Sequence, residues 1–167
     1  MSAARLSRRS FALAPLAFGA GAWLSGRAAG AAALPAAESL AAELAAALRQ
    51  GRPLLVMASL AGCPFCRTVR DSYLAPMQRE TGQPMVQLDM GSSRPVSDFD
   101  GAQRSHDALL RGWRVGVAPT LLFFGPGGRE AAPRLAGASI PDFYGAYLDE
   151  RLRSAQAALV HPARQRP

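Results

Sequence analysis

Two cysteines, Cys63 and Cys66, are the residues of this sequence whose type and spacing point most directly to chemistry. They are the only cysteines of the chain, and only Pro64 and Phe65 separate them. The apolar run at 53–60 predicts a buried strand before the pair, and the residues after it predict a helix. This order places the first sulfur beside backbone N–H groups without helical partners, at the positive end of the helix dipole.

The predicted position favours the thiolate form of Cys63, which is the reactive form of a thiol. Cys66 follows one helical turn later, close enough to form a disulfide with Cys63 and to release any group that Cys63 has attacked. The pair therefore predicts thiol–disulfide exchange. Arg67, on the same helix, either adds positive potential near the thiolate or lies on a solvated face.

Two other functions of a closely spaced cysteine pair have less support. Half of a zinc site needs two more ligands, and the chain offers only His106 and His161, which do not form a second closely spaced pair. A purely structural disulfide across so short a ring would restrain little of the unfolded chain. We therefore expect no metal and no cofactor, and we expect His106 to face solvent on a short helix.

The composition predicts one domain with a hydrophobic core, because 49% of the 167 residues are hydrophobic. The net charge of +7 does not indicate a nucleic-acid partner. Of the 19 basic residues four lie before position 34, where no acidic residue occurs, which leaves 15 basic against 12 acidic side chains in the remainder. That balance, without a clustered basic tract, excludes an electrostatic argument for a polyanion.

Residues 1–33 have the features of an export signal. Arg8 and Arg9 are followed by Phe11, a short apolar stretch and a run of small residues that ends at Ala33. A basic start, an apolar stretch and small residues at a cleavage site are typical of a signal peptide, and the paired arginines indicate the Tat route. An uncleaved membrane anchor is the alternative, although the apolar stretch is too short to span a bilayer.

We therefore predict a signal peptide at 1–33, a folded domain at 34–160 and a disordered tail at 161–167. Export by this route leads to the bacterial periplasm, where thiols meet oxidising conditions.

The hydrophobic pattern of the folded part predicts alternating helices and strands. In chain order they are a helix at 35–49, a strand at 53–60, a helix from Cys63 that ends or kinks at Pro76, a strand at 85–90, a polar loop at 91–101, a helix at 102–113, strands at 120–124 and 133–135, and a helix at 140–158. The polar loop is either a binding loop or a solvated excursion, and the second interpretation is favoured.

This order of elements resembles the thioredoxin fold. Residues 113–121, Trp-Arg-Val-Gly-Val-Ala-Pro-Thr-Leu, resemble the family's segment with a cis-proline that faces the active cysteines, and Gly137 resembles the glycine after the last strand. The resemblance extends over residues 36–155. It implies an α/β fold with a central mixed sheet of four strands, or five as an alternative, flanked by helices.

The resemblance also implies roles for particular residues. Cys63 would be the nucleophile, Cys66 the resolving thiol, and Pro119 a wall on the substrate side, which guards the dithiol because proline lacks an N–H group and cannot bind a metal. The Ala118 backbone would pair with an extended substrate, and Pro64 and Phe65 would contact it. An ordinary loop proline is the alternative interpretation of Pro119.

The sequence departs from the family at two places. Thioredoxins have a buried carboxylate six residues before the first cysteine, where it helps to deprotonate the second one, and here that position is Met57. The dipeptide Pro64-Phe65 matches neither the Gly-Pro of thioredoxins nor the Pro-His of strong periplasmic oxidants. Water or another group must therefore take the place of the carboxylate, or the resolving step is slow.

The segment at 91–113 is too short for the helical insertion of DsbA-type oxidases, which favours a reductant. A disulfide oxidase or isomerase, and a metal chaperone or binding module that retains the fold, are the alternatives. As a reductant the protein would act as a monomer on periplasmic proteins that carry cysteines, would receive electrons from a membrane donor, and would not bind nucleic acid.

Overall fold

The computed structural model describes residues 33–138 and 141–160. The predicted signal peptide, except Ala33, and the predicted tail at 161–167 lie outside the described residues. Within the described ranges, none of the helices combines the length and the apolar character needed to cross a membrane.

The chain forms five α-helices and six strands in these ranges. They are α1 Leu40–Arg49, β1 Leu54–Ser59, α2 Pro64–Val69, a π-helical segment Arg70–Leu74, α3 Ala75–Thr81, β2 Met85–Asp89, β3 Pro95–Ser97, β4 Gln103–Ser105, α4 His106–Gly112, β5 Thr120–Gly125, a 3-10 turn Pro126–Gly128, β6 Arg129–Ala136 and α5 Pro141–Val160.

Four strands form a mixed sheet in the order β2-β1-β5-β6, in which β1 runs parallel to β2 and antiparallel to β5. All six residues of β1 are buried, because helices cover the sheet on both sides. Leu54 and Val56 belong to the core on the side of α1 and α4, whereas Leu55 and Met57 belong to the core that includes α2 and α5. The predicted α/β fold with a four-stranded mixed sheet is confirmed.

The first helix begins later than the sequence predicts. The chain ahead of it extends along the edge of the sheet, where Ala36 bridges to Gln87 of β2 in parallel orientation. Ser39 then caps α1, and its hydroxyl accepts a hydrogen bond from the backbone N–H of Ala42. The predicted start at residue 35 was wrong because pairing with β2 satisfies the backbone before the capping serine.

The prediction of an irregular loop at 91–101 followed by a helix from 102 was also wrong. The strands β3 and β4 pair antiparallel as a separate hairpin there, and α4 starts only at His106. Val96 of the hairpin is buried, and Phe99 packs against Trp113 and Phe124. Strands of three residues with a single buried side chain are too short to give a detectable period.

The helical run that begins at Pro64 does not end at Pro76 but continues to Thr81. Pro76 has no N–H group to donate to the residue four positions earlier. The helix accommodates this through the π-helical segment directly before it, where the N–H of Ala75 bonds to the carbonyl of Arg70. The run ends at Gly82, whose positive φ of 67° suits a residue without a side chain.

Candidate active site

Cys63 stands at the junction between the central strand and the helix that follows it. A short turn after Ser59 brings the N–H of Cys63 within 3.2 Å of the Leu60 carbonyl. Cys63 is the N-cap of α2, and Pro64 occupies the first turn, where a missing N–H costs nothing. The strand-to-helix junction predicted from the sequence is therefore present, with the first cysteine at the start of the helix.

The half-buried Cys63 sulfur is surrounded by hydrogen-bond donors. Its Sγ accepts the backbone N–H of Cys66 at 3.2 Å. Partial burial by itself raises the pKa of Cys63, but hydrogen bonds from the Cys66 side chain and from the N–H groups of Cys66 and Phe65 outweigh it and lower that pKa. Donors that stabilise the anion favour the thiolate of Cys63.

The second thiol has the opposite environment. Cys66 is buried, and burial, followed by its hydrogen bond with Cys63, raises its pKa. Hydrogen bonds with the Leu60 backbone and the Ser59 side chain oppose this rise without cancelling it. Both thiols are free, so the structure contains the dithiol with an accessible sulfur in front of a protected one.

The segment before β5 lies opposite the first cysteine. The Ala118–Pro119 peptide bond is cis, as the resemblance implies, and the Ala118 carbonyl oxygen is 4.0 Å from Cys63 Sγ. The Thr120 hydroxyl donates to the Val117 carbonyl at 2.7 Å, which ties the turn to the start of the strand. Ala118, although 55 residues away in sequence, thus lies beside Cys63.

Three apolar side chains are exposed next to the thiols: Phe65 at 60%, Val117 at 53% and Leu60 at 47%. Exposed apolar groups that lie together are typical of a surface that contacts another molecule. Of these three residues, only Phe65 was a contact residue predicted from the sequence, beside Pro64, Ala118 and Pro119. Leu60 and Val117 were missed, because the first continues an apolar strand pattern and the second lies in a loop, and only the fold brings them beside Cys63.

A cleft of about 180 Å³ opens beside both cysteines. Its lining consists of Ser59, Leu60, Ala61, Gly62, Cys63, Cys66, Arg67, Arg70, Gln87 and Asp89. Arg67 is exposed at its rim. The sequence had predicted neither the cleft nor the presence of Gln87 and Asp89 in it, since both belong to a different strand.

Met57 is fully buried within β1, between Gln87 of β2 and Leu121 of β5 in the sheet register. A thioether cannot take up a proton at ordinary pH. The buried position that holds a carboxylate in thioredoxins therefore holds a side chain without a proton acceptor in this protein.

His106 is not solvent-facing as predicted but completely buried. Its Nδ1 accepts the backbone N–H of Asp89 at 3.1 Å, so the ring proton is on Nε2, which donates to the Ala37 carbonyl at 3.3 Å. His106 thereby joins the end of β2 to the segment before α1. Among the residues that the structure describes, no three His, Cys, Asp or Glu side chains converge in a way that could hold a metal ion.

Several solved structures are similar to this chain. The chain is similar to a thioredoxin h from poplar, with 17% identity over 68% of this chain and 95% of that one at a TM-score of 0.47. It is similar to the oxidoreductase DsbH, with 20% identity over 76% of this chain and 88% of that one at a TM-score of 0.49. It is also similar to the periplasmic thioredoxin SoxS from Paracoccus pantotrophus, with 23% identity over 62% of this chain and 98% of that one at a TM-score of 0.42.

A comparison with curated protein sequences gives no match. The family description "Thioredoxin-like domain", in contrast, matches residues 40–151, which include both cysteines, the cis-proline and all four strands of the main sheet. The chain therefore belongs to the thioredoxin-like domain family.

Proposed function

We propose that this protein is an exported thiol:disulfide oxidoreductase that exchanges disulfides with protein substrates through Cys63 and Cys66. The main support is the position of Cys63 Sγ, which caps α2, accepts the Cys66 N–H at 3.2 Å and lies 4.0 Å from the Ala118 carbonyl. An accessible sulfur with a lowered pKa, in front of a buried thiol, suits nucleophilic attack followed by intramolecular release.

The reaction proceeds in two exchanges. The Cys63 thiolate attacks one sulfur of a substrate disulfide, the substrate S–S bond breaks, and the departing sulfur leaves with the electron pair and takes a proton from solvent. Cys66 then loses its proton and attacks the Cys63 sulfur of the mixed disulfide, and the second substrate sulfur leaves as a thiolate and takes up a proton. The substrate gains two electrons and two protons, and the protein dithiol becomes a disulfide.

The substrate approaches in the groove between α2 and the segment before β5. In this proposal Pro64 and Phe65 contact it from the helix, Pro119 forms the facing wall, and the Ala118 backbone pairs with an extended segment. The exposed side chains of Phe65 and Val117 favour substrates with apolar residues near the reacting cysteine.

We favour a reductant over an oxidase or isomerase. Between β2 and α4 the chain forms only the hairpin of β3 and β4, so no helical insertion covers the dithiol there. A reductant in the periplasm requires a membrane electron donor, since that compartment is kept oxidising. The arginine pair and small-residue run within 1–33 support export by the Tat route.

Trapping of the mixed disulfide tests the exchange. We expect Cys66→Ser to retain a disulfide-linked protein substrate through Cys63, because the resolving thiol is absent, and we expect Cys63→Ser to retain none. Non-reducing gels and mass spectrometry of the linked peptide give the result. Equal trapping by both variants, or by neither, would contradict the proposal.

The reduction potential separates the two directions of electron flow. A value of about −270 mV indicates a reductant, and a value of about −120 mV indicates an oxidant. Equilibration of the Cys63–Cys66 pair with glutathione redox buffers measures it. Stoichiometric metal binding without exchange would instead favour a metal chaperone.

A further inference from the structure

The resolving step requires a proton acceptor that the core of the site does not supply. Cys66 is buried and its pKa is raised, so its proton must leave before the sulfur can attack. Met57, on the strand behind it, has no group that takes up a proton. The acceptor must therefore reach Cys66 from another direction.

The parallel register of β1 and β2 brings a carboxylate to this region. Ser59, the last residue of β1, is the register partner of Asp89, the last residue of β2. Both residues line the cleft of about 180 Å³ together with Cys66. The Ser59 side chain is hydrogen-bonded to Cys66, so its hydroxyl offers one step from the thiol toward Asp89. A space of this size holds several water molecules, which can continue the path to Asp89.

The surroundings of Asp89 hold it in place. Gln87 Nε2 donates to Asp89 Oδ1 at 2.7 Å, and the backbone N–H of Asp89 donates to the buried His106. Asp89 Oδ2 is 3.9 Å from His106 Nδ1, too far for a hydrogen bond. The side chain is about one-third exposed, so solvent reaches the carboxylate on its open side.

We propose that the carboxylate of Asp89 accepts the proton of Cys66 when Cys66 attacks the mixed disulfide, an assignment that rests on the exchange reaction proposed above. Asp89 thereby replaces the carboxylate that position 57 lacks, from the neighbouring strand rather than from β1.

The step balances without a further reactant. The Cys66 sulfur forms a bond to the Cys63 sulfur, the bond from Cys63 to the substrate sulfur breaks, and the substrate thiolate leaves with the electron pair. The Cys66 proton passes through the Ser59 hydroxyl or a water molecule in the cleft to Asp89. From the carboxylic acid it returns to solvent or to the departing thiolate.

Other charged or titratable groups lie around Asp89. Cys63, Cys66, Arg67 and Arg70 line the same cleft, and Arg70 is paired with Asp71. His106 Nδ1 is 3.9 Å from the Asp89 carboxylate, and Asp107 accepts the N–H of Gly91, two residues after Asp89. The arginines favour negative charge in the cleft at any pH used for the assay, since guanidinium groups remain charged. His106 uses Nδ1 as an acceptor for a backbone N–H, so it is not positioned to take the thiol proton.

Stopped-flow exchange with dithionitrobenzoate, a symmetrical aromatic disulfide, separates the two steps. Each exchange releases one coloured thiolate: the first reports attack by Cys63 and depends on reagent concentration, and the second reports attack by Cys66 and does not. We expect Asp89→Asn to slow the second phase about a hundredfold, the lower end for loss of a positioned proton acceptor, and to leave the first phase unchanged or slightly faster.

The direction of the effect distinguishes this role from a simple charge effect. Removal of a nearby negative charge favours thiolate formation and would accelerate both phases. Asp89→Glu restores a carboxylate and should return the second phase to within about threefold of the wild type. Asp100→Asn removes the same charge from the exposed hairpin, outside the lining of the cleft, and should change neither phase.

The pH profile of the second phase gives an independent measure. The quantity compared is the slope of the logarithm of the second-phase rate against pH, below the pKa of Cys66. For the wild type we expect a slope of less than one. For Asp89→Asn we expect a slope of about one, as for attack by a freely formed thiolate. A second phase of Asp89→Asn that is unchanged, faster, or slowed only as much as the first overturns the proposal. A wild type without any second phase overturns the exchange reaction itself.

Discussion

Cys63 and Cys66 are joined by a hydrogen bond of 3.2 Å from the Cys66 backbone N–H to Cys63 Sγ, yet the pKa values of their thiols are shifted in opposite directions. Donors at the start of α2 lower the pKa of Cys63, and burial raises the pKa of Cys66. The thiolate form is thus favoured for Cys63, which attacks first, and the protonated form for Cys66, which attacks the mixed disulfide afterwards.

This difference predicts separate pH profiles for alkylation by iodoacetamide. The thiolate fraction sets the rate, so a lowered pKa moves the half-maximal rate of Cys63 in the Cys66→Ser variant to a pH below the roughly 8.5 of a free cysteine. The raised pKa moves that of Cys66 in Cys63→Ser above it. Rates measured across a pH series by mass spectrometry give both values, and identical profiles would contradict the assignment.

Phe65 should contribute to the binding of protein substrates. Removal of its exposed ring by Phe65→Ala should lower kcat/KM for reduction of a protein disulfide such as insulin about fivefold, which corresponds to about 1 kcal/mol of lost apolar contact. The rate with dithionitrobenzoate should stay within about twofold, since a small disulfide needs no such surface.

Val160→Ala is the matched control for Phe65→Ala. Val160 is also an exposed apolar residue, but it lies in the last turn of α5 and not in the active-site helix α2. It should leave both rates unchanged. An equal loss for both variants would mean that the Phe65 ring has no specific role.

Gly128 should be intolerant of a side chain. A Cβ at this position would lie 2.5 Å from the Phe99 ring, and its φ of +67° disfavours any residue with a Cβ. We expect Gly128→Ala to lower the free energy of unfolding by about 2–4 kcal/mol, from backbone strain and overpacking together. Urea denaturation measures the change.

Gly127→Ala separates the two causes, because Gly127 has a similar φ of +72° but nothing within 4 Å of its Cβ position. Its cost should be only about 1 kcal/mol. Equal losses in the free energy of unfolding for the two alanine variants would show that the contact with Phe99 adds nothing to the effect of backbone strain.

His106 should be a structural residue. His106→Leu leaves the N–H of Asp89 and the carbonyl of Ala37 without their partner, and we expect a loss of about 2–4 kcal/mol in the free energy of unfolding. Arg111→Ala, an exposed change on the same helix, should cost less than about 1 kcal/mol. Urea denaturation of both variants measures the two free energies of unfolding. An unchanged free energy of unfolding for His106→Leu would refute the structural role of His106.

Export should depend on the arginine pair. Conservative replacement of both, Arg8→Lys with Arg9→Lys, should leave the protein in the cytoplasm of a Tat-competent bacterium, because the twin-arginine signal is read as a motif rather than as charge. Cell fractionation and immunoblotting measure the distribution. Undiminished periplasmic protein would show that another route exports it.

Much of the fold could be inferred from local patterns. The strand at 53–60 and the strand at 120–124 are continuous apolar runs, and the structure has them at Leu54–Ser59 and Thr120–Gly125. The hairpin of β3 and β4 could not be inferred, because its strands are held by pairing and by the packing of Phe99 rather than by a periodic pattern.

By itself the sequence determined the chemistry of the two cysteines, since the residue types and their spacing place one sulfur at a helix start and the other one turn later. Only the tertiary structure decided what surrounds them. The approach of Ala118 across 55 residues, the burial of His106 and the neighbouring positions of Ser59 and Asp89 depend on strand register. Register is a property of paired strands, and a single strand's residues do not contain it.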